Sequence, residues 1–249
     1  MAKRLDDYTK DDWLDANLHG PIARDTVIHR VFRADYLLKD LEEGTNTLVH
    51  PCFETQGDDL ENPLKNASFS VDGHKHQLFS SLMAEYYAQS WSLSKPAWGK
   101  FGQGKDTVRV TSTVGDIFSR LMDNGDQFYS LYYHAGLIDY SDAGSIRAGL
   151  SRGNFEDFLD SRGYALLKTV LKIRFDFQKE EEVRFVYIRS PRHGYDYPLR
   201  QQVSGQQSEL CAHTFDWHNS IEGFEFCPNN RASHPGLHEK LEQVKVAKP

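Results

Sequence analysis

Three consecutive glutamates stand at the mouth of an apolar run: Glu180, Glu181 and Glu182 precede Val183-Arg184-Phe185-Val186-Tyr187-Ile188. In an extended chain alternate side chains share a face, so Glu180 and Glu182 are expected to point one way with Arg184, and Glu181 the other. Two carboxylates about 7 Å apart beside an arginine can divide labour. One stabilises a developing cation while the other positions or deprotonates an acceptor. The same pattern fits a solvated acidic turn ahead of a core strand. A second cluster is His29-Arg30 inside Val27-Ile28-His29-Arg30-Val31-Phe32. A basic residue in an apolar strand is costly to bury unless it meets an anion. His29 or Arg30 is therefore a candidate to hold a phosphate or a ribose, and an edge strand with Arg30 on its wet face is the alternative. The third cluster runs from Ser90-Trp91-Ser92 to Lys95-Pro96-Ala97-Trp98. Hydroxyls beside tryptophans can line a ring pocket, with Ser92 and Trp98 as candidates, or the segment is a packed aromatic hairpin.

Other chemistries lack their patterns. His213, His218, His234 and His238 share the C-terminal region with Cys211 and Cys227, but no zinc spacing links them, so no metal is expected. Gly102-Gln103-Gly104-Lys105 lacks the full phosphate-loop pattern.

The elements that must carry these residues are short. Strands are expected at residues 27–32, 47–53, 108–112, 128–134, 183–188 and 223–227, and helices at 35–43, 114–122, 154–173 and 235–244. Gly44 suits the end of the first helix and Asn154 the start of the third. Residues 78–92 read as helix at their start and as strand at their end. Strands scattered among helices without regular alternation indicate an α+β domain with mostly antiparallel strands, spanning 26–249 behind an acidic lead-in at 1–25.

Composition bounds the function. Aromatic residues make up 12% of the 249, enough for an aromatic core. The formal charge of −7 opposes a broad, sequence-independent grip on nucleic acid. No apolar stretch follows Met1-Ala2-Lys3-Arg4, and no window approaches a membrane span. Three widely spaced cysteines, Cys52, Cys211 and Cys227, argue against a disulfide framework. A cytoplasmic setting with no membrane partner is expected.

The order of features resembles a bacterial family of unknown function found in accessory and defence loci. Its pieces are Pro51-Cys52-Phe53-Glu54 with Asp58-Asp59-Leu60-Glu61-Asn62-Pro63, then Trp98-Gly99-Lys100-Phe101-Gly102, then Lys172 to Arg184, and finally Phe224-Glu225-Phe226-Cys227-Pro228. The resemblance covers about residues 27–245. The same order resembles the ADP-ribosyltransferase fold, with its split sheet flanked by helices, although the serine strand carries Ser90-Trp91-Ser92 rather than a Ser-Thr-Ser triplet. That resemblance implies NAD as substrate and no metal. It implies Arg30 or His29 at the first basic position, Ser92 behind the nicotinamide, Glu182 on the ribose and Glu180 toward the acceptor. It further implies a defence or toxin role, an RNA or protein acceptor, and an antitoxin or chaperone partner. A non-catalytic sensor or partner-binding module on the same fold, or an effector acting on nucleic acid, are the alternatives.

Overall fold

The computed structural model describes residues 8–49, 69–71, 74–76, 86–96, 98, 106–123, 132–142, 144–145, 167–168, 170–188, 210–228 and 235–245. Helix α1 (Lys10–Ala16) opens with a capping box in which Thr9 and Asp12 satisfy each other's backbone N–H groups. Strand β1 (Leu18–His19) and strand β2 (Val27–Arg33) follow. Helix α2 (Ala34–Glu43) ends because Gly44 turns left-handed, at φ 59°, and its N–H reaches back to the Asp40 carbonyl. Strands β3 (Thr45–Val49), β4 (Phe69–Val71), β5 (His74–His76), β6 (Tyr86–Ser92) and β7 (Thr107–Thr113) lead to helix α3 (Val114–Met122). The N-cap of α3 is Thr113, whose hydroxyl accepts the Asp116 N–H at 3.1 Å. Strands β8 (Tyr133–Leu137), β9 (Asp139–Ser141) and β10 (Lys172–Arg174) precede a 3₁₀ turn (Phe175–Glu180) and strand β11 (Glu182–Ile188). Strands β12 (Leu210–Thr214) and β13 (Gly223–Phe226) and helix α4 (Pro235–Val244) complete the described chain.

The fold is mixed α and β, with an open sheet whose order is β1-β8-β11-β6-β2-β7-β13. Strand β3 pairs with β6 and carries β12. Pairing is mostly antiparallel; β1 runs parallel to β8, and β10 parallel to β9. Strands β6 and β2 join through one pair, His29 opposite Ser92. On either side of that joint the ladders are long: β11 pairs with β6 from Glu182–Ser92 to Ile188–Tyr86, and β2 with β7 from Val27–Thr113 to Arg33–Thr107.

Strand alternation divides the sheet into two chemically different faces. Val183, Phe185, Trp91, Tyr87, Ile28, Phe32, Val108 and Val110 belong to one buried core with Leu37 of α2, Phe118 of α3 and Leu237 of α4. Trp91 and Phe185 meet edge to face with ring centroids 6.5 Å apart. The opposite face carries His29, Ser92, Glu182 and Arg184, all buried. Residues 10–19 are part of this structure, since Leu14 lies in the core and β1 lengthens the sheet.

Two expectations change at their ends, and the strand expected at the end of residues 78–92 is found. The helix expected over 154–173 does not run to its end: Lys172–Arg174 is a strand, because pairing with β9 in three registered steps satisfies its backbone. Residues 151–166 lie outside the described part. Of the strand expected at 128–134, residues 128–131 lie outside the described part, and the described strand, Tyr133–Leu137, runs on past His134. The ambiguous segment ends as strand β6, with 77–85 outside.

The core holds polar groups that are paired with one another. The Gln89 amide donates to Asn46 Oδ1 at 2.6 Å, and the Trp91 indole N–H donates to Gln89 Oε1 at 2.8 Å. His213 is fully buried, 3.2 Å from the Tyr133 hydroxyl and 3.3 Å from Cys211 Sγ. Burial drives its pKa down from 6.5 to about 4. The unfolded chain therefore takes up a proton on falling through pH 6.5 that the folded chain refuses until about pH 4. Stability from the neutral ring is complete above pH 6.5 and declines as pH falls toward 4, by about 3 kcal/mol in all. Urea unfolding at pH 7.5 and 4.5 should show this loss. His213→Gln should flatten the acid limb, while His19 and His29, also lowered by burial, retain a smaller slope.

Candidate functional site

Strand β11 begins at Glu182 because Glu181 adopts a left-handed backbone, φ 43°, which interrupts the extended run. Three hydrogen bonds hold this corner. The Glu181 carbonyl accepts the Leu93 N–H at 3.0 Å, and the Glu182 carbonyl accepts the Ile138 N–H at 2.9 Å. The Glu182 N–H donates to the Tyr140 hydroxyl at 2.9 Å. Burial first, then the Glu182 and Glu180 charges, push the Tyr140 phenol up to about 12, so it remains protonated.

The register then sets Glu182 opposite Ser92, Ser92 opposite His29, and His29 opposite Thr111. Directly opposed residues share a face and stand about 5 Å apart at Cβ. The result is a transverse row, Glu182–Ser92–His29–Thr111, across four adjacent strands. His29 Nδ1 lies 2.9 Å from Thr111 Oγ1, which fixes the ring. The Ser92 hydroxyl donates to the Glu180 carbonyl at 2.5 Å and accepts the Ser94 N–H at 3.3 Å. It ties the corner before β11 to the end of β6.

Glu182 is 4% exposed and its Oε1 accepts from Arg184 Nε at 2.8 Å. Arg184 is held in turn by the Val170 carbonyl at 2.8 Å. Two desolvated charges this close are tolerated because each satisfies the other and the second donor is used. The pair orients one carboxylate oxygen and fixes the plane of the group.

The remaining candidates are distributed differently. Arg30, adjacent to His29, is on the core side of β2. Its guanidinium donates to the Ser90 carbonyl and lies 5.0 Å from the Phe32 ring centroid. Burial lowers its pKa to about 10, against the opposing charges of Glu182 and Asp40. Arg30 thus occupies the region where β2 and β6 separate and is not a member of the row. Glu180 closes the 3₁₀ turn, so it does not share a strand face with Glu182; the left-handed Glu181 breaks the alternation that the sequence pattern assumes. Trp98 is half-buried, with the Arg109 guanidinium 4.7 Å from its ring centroid.

Thr111, Arg109 and Glu225 continue this face, and Tyr140 reaches it from β9. The sequence reading missed them because each reaches the site through a distant strand; the alternation of Arg109 and Thr111 along β7 is the one local signal. Among the described residues no group of three His, Cys, Asp or Glu side chains is placed to hold a metal ion, and no helix is long and apolar enough to cross a membrane. No family model matches the chain, and no curated protein or solved structure matches it significantly.

Replacing Arg184 by Met leaves the Glu182 carboxylate buried without its cation. The expected loss is about 3–5 kcal/mol. Adding Glu182→Gln should return most of it, since the unpaired charge is then gone. Chemical denaturation of the two variants checks this; a single variant that loses less than about 1 kcal/mol would remove the ion pair as the anchor of the corner.

Proposed function

We propose that the chain is an NAD-consuming, ADP-ribosyltransferase-like enzyme in which Glu182 acts on the nicotinamide ribose. The observation that supports this reading is the row His29–Ser92–Glu182 on one face of three adjacent strands. These are the basic, hydroxyl and acidic groups that the resemblance requires, in its chain order. His29, not Arg30, occupies the basic position, since alternation directs Arg30 to the other face.

Cleavage of the bond between ribose C1′ and nicotinamide nitrogen sends the bonding pair out with neutral nicotinamide. Positive charge develops on C1′ and the ring oxygen. The Glu182 carboxylate, aligned by Arg184, accepts the ribose 2′-hydroxyl and stabilises that charge. Ser92 fixes the chain around it. The acceptor oxygen or nitrogen attacks C1′ and releases its proton to Glu180 or water. With water as acceptor the products are ADP-ribose and a proton. The RNA or protein acceptor, the defence or toxin role and a silencing partner accompany this reading through the resemblance alone.

A second reading, a non-catalytic binding module on the same fold, is favoured by one observation: Glu182 is buried and already paired with Arg184. An effector acting on nucleic acid is opposed by the charge of −7.

The test is nicotinamide release from NAD, with and without cell lysate, by the unaltered chain and by Glu182→Gln. Gln keeps the shape and removes the charge. The expected loss is on the order of a hundredfold or more, a few kcal/mol in barrier, read at a temperature where both forms are folded, since the variant leaves Arg184 without its anion and melts lower. Equal release by both forms excludes Glu182 as the reacting carboxylate. No release by either favours the binding module.

A further inference from the structure

Beyond the row, the same sheet face continues onto β7 and β13. Arg109 is two residues along β7 from Thr111 and lies opposite Glu225 of β13. Its side chain is 10% exposed, yet it is only partly satisfied. Nη1 donates to the Pro96 carbonyl at 2.8 Å, Nη2 donates to Glu225 Oε2, and Nε, buried, has no partner among the described residues. Lys95 donates from Nζ to the other Glu225 oxygen at 2.9 Å. The Trp98 ring lies against the guanidinium. Two cations therefore share one carboxylate, and both bear on the neighbouring His29, whose pKa is lowered first by burial and then by Lys95 and Arg109.

A cross-strand pair made only for stability needs one charge of each sign. Here the cations are in excess, one is nearly buried, and an aromatic ring stands beside them. Exposure also changes along the face: the side chains of Glu182 and Arg184 are 6% and 10% exposed, whereas Glu225 and Lys95 are 48% and 58% exposed. The strand spacing puts Arg109 about 16 Å from Glu182, three strands across and two residues along. An extended dinucleotide can cross that span with its reacting ribose inward and its other end toward solvent.

We propose that Lys95, Arg109 and Trp98 form the subsite for the adenosine-diphosphate half of the substrate, with Glu225 as a resident carboxylate that the diphosphate displaces. This rests on the NAD reading of the row and extends it to residues outside the row. A diphosphate offers Arg109 the paired oxygens that a guanidinium fork accepts, and it carries more charge than the carboxylate it replaces. Lys95 follows as a mobile point charge. The indole supplies a flat apolar surface for the base.

ADP binding to the whole chain, followed by calorimetry, tests the subsite. Lys95→Gln, at an exposed position that does not threaten the fold, should weaken ADP several-fold, and Arg109→Gln about tenfold or more. Glu225→Gln should tighten ADP several-fold, because the internal competitor is gone. ADP affinity indifferent to Lys95 and Arg109, weaker binding by Glu225→Gln, or no ADP binding by the folded chain each overturns the subsite. Failures are distinguishable. NAD turnover that depends on Glu182 but not on Lys95, Arg109 or Glu225 removes the subsite and keeps the row. ADP binding tuned by Glu225 without NAD turnover removes the enzyme reading and keeps the subsite.

Discussion

The pair His29–Ser92 carries an unusual share of the architecture. It joins β2 to β6, and it is also the step by which a basic residue on one half of the sheet meets an acidic residue on the other. A slip of one residue at this joint would turn His29 toward the core and Arg30 toward Glu182. The slip is opposed from both sides. β11 is held by β6 along its whole length and by β8 over five further pairs, while β2 is held by β7 over seven. Large aromatic side chains, Trp91, Phe185 and Phe32, lock the other face of the same strands. The apolar packing on one face thus determines the polar geometry on the other.

That geometry is costly in isolation. A left-handed glutamate costs about 1–3 kcal/mol, and a buried ion pair recovers little more than its desolvation. Both occur at adjacent residues, Glu181 and Glu182, where hydrogen bonds from Leu93, Ile138 and Ser92 over-determine the corner. A turn made only to connect β10 with β11 requires neither. A fixed, desolvated carboxylate is what stabilisation of a developing cation requires, because preorganised charge acts most strongly where water is excluded.

Local signals in the sequence located local structure. Gly44 ends α2, the helix expected at 114–122 is α3, and the run after Glu182 is a strand. Non-local information was missing. Whether His29 or Arg30 faces Glu182 depends on a partner 63 positions away, Ser92, whose pairing no periodicity reveals. Alternation failed at Glu180 because it presumes an unbroken strand, and Glu181 breaks it. The helical spacing through Ile173 lost to the ladder between β9 and β10, since backbone pairing outweighs a weak propensity. Arg109 and Glu225 are 116 residues apart and become neighbours only through the β7–β13 register.

A crystal structure of the whole chain with a non-hydrolysable NAD analogue tests the central claim most directly. The account predicts the nicotinamide ribose on the His29–Ser92–Glu182 face, with its 2′-hydroxyl within hydrogen-bond distance of the Glu182 carboxylate, about 2.5–3.0 Å. An analogue bound on another face, or one whose ribose lies beyond reach of Glu182 while that carboxylate stays closed against Arg184, would contradict it.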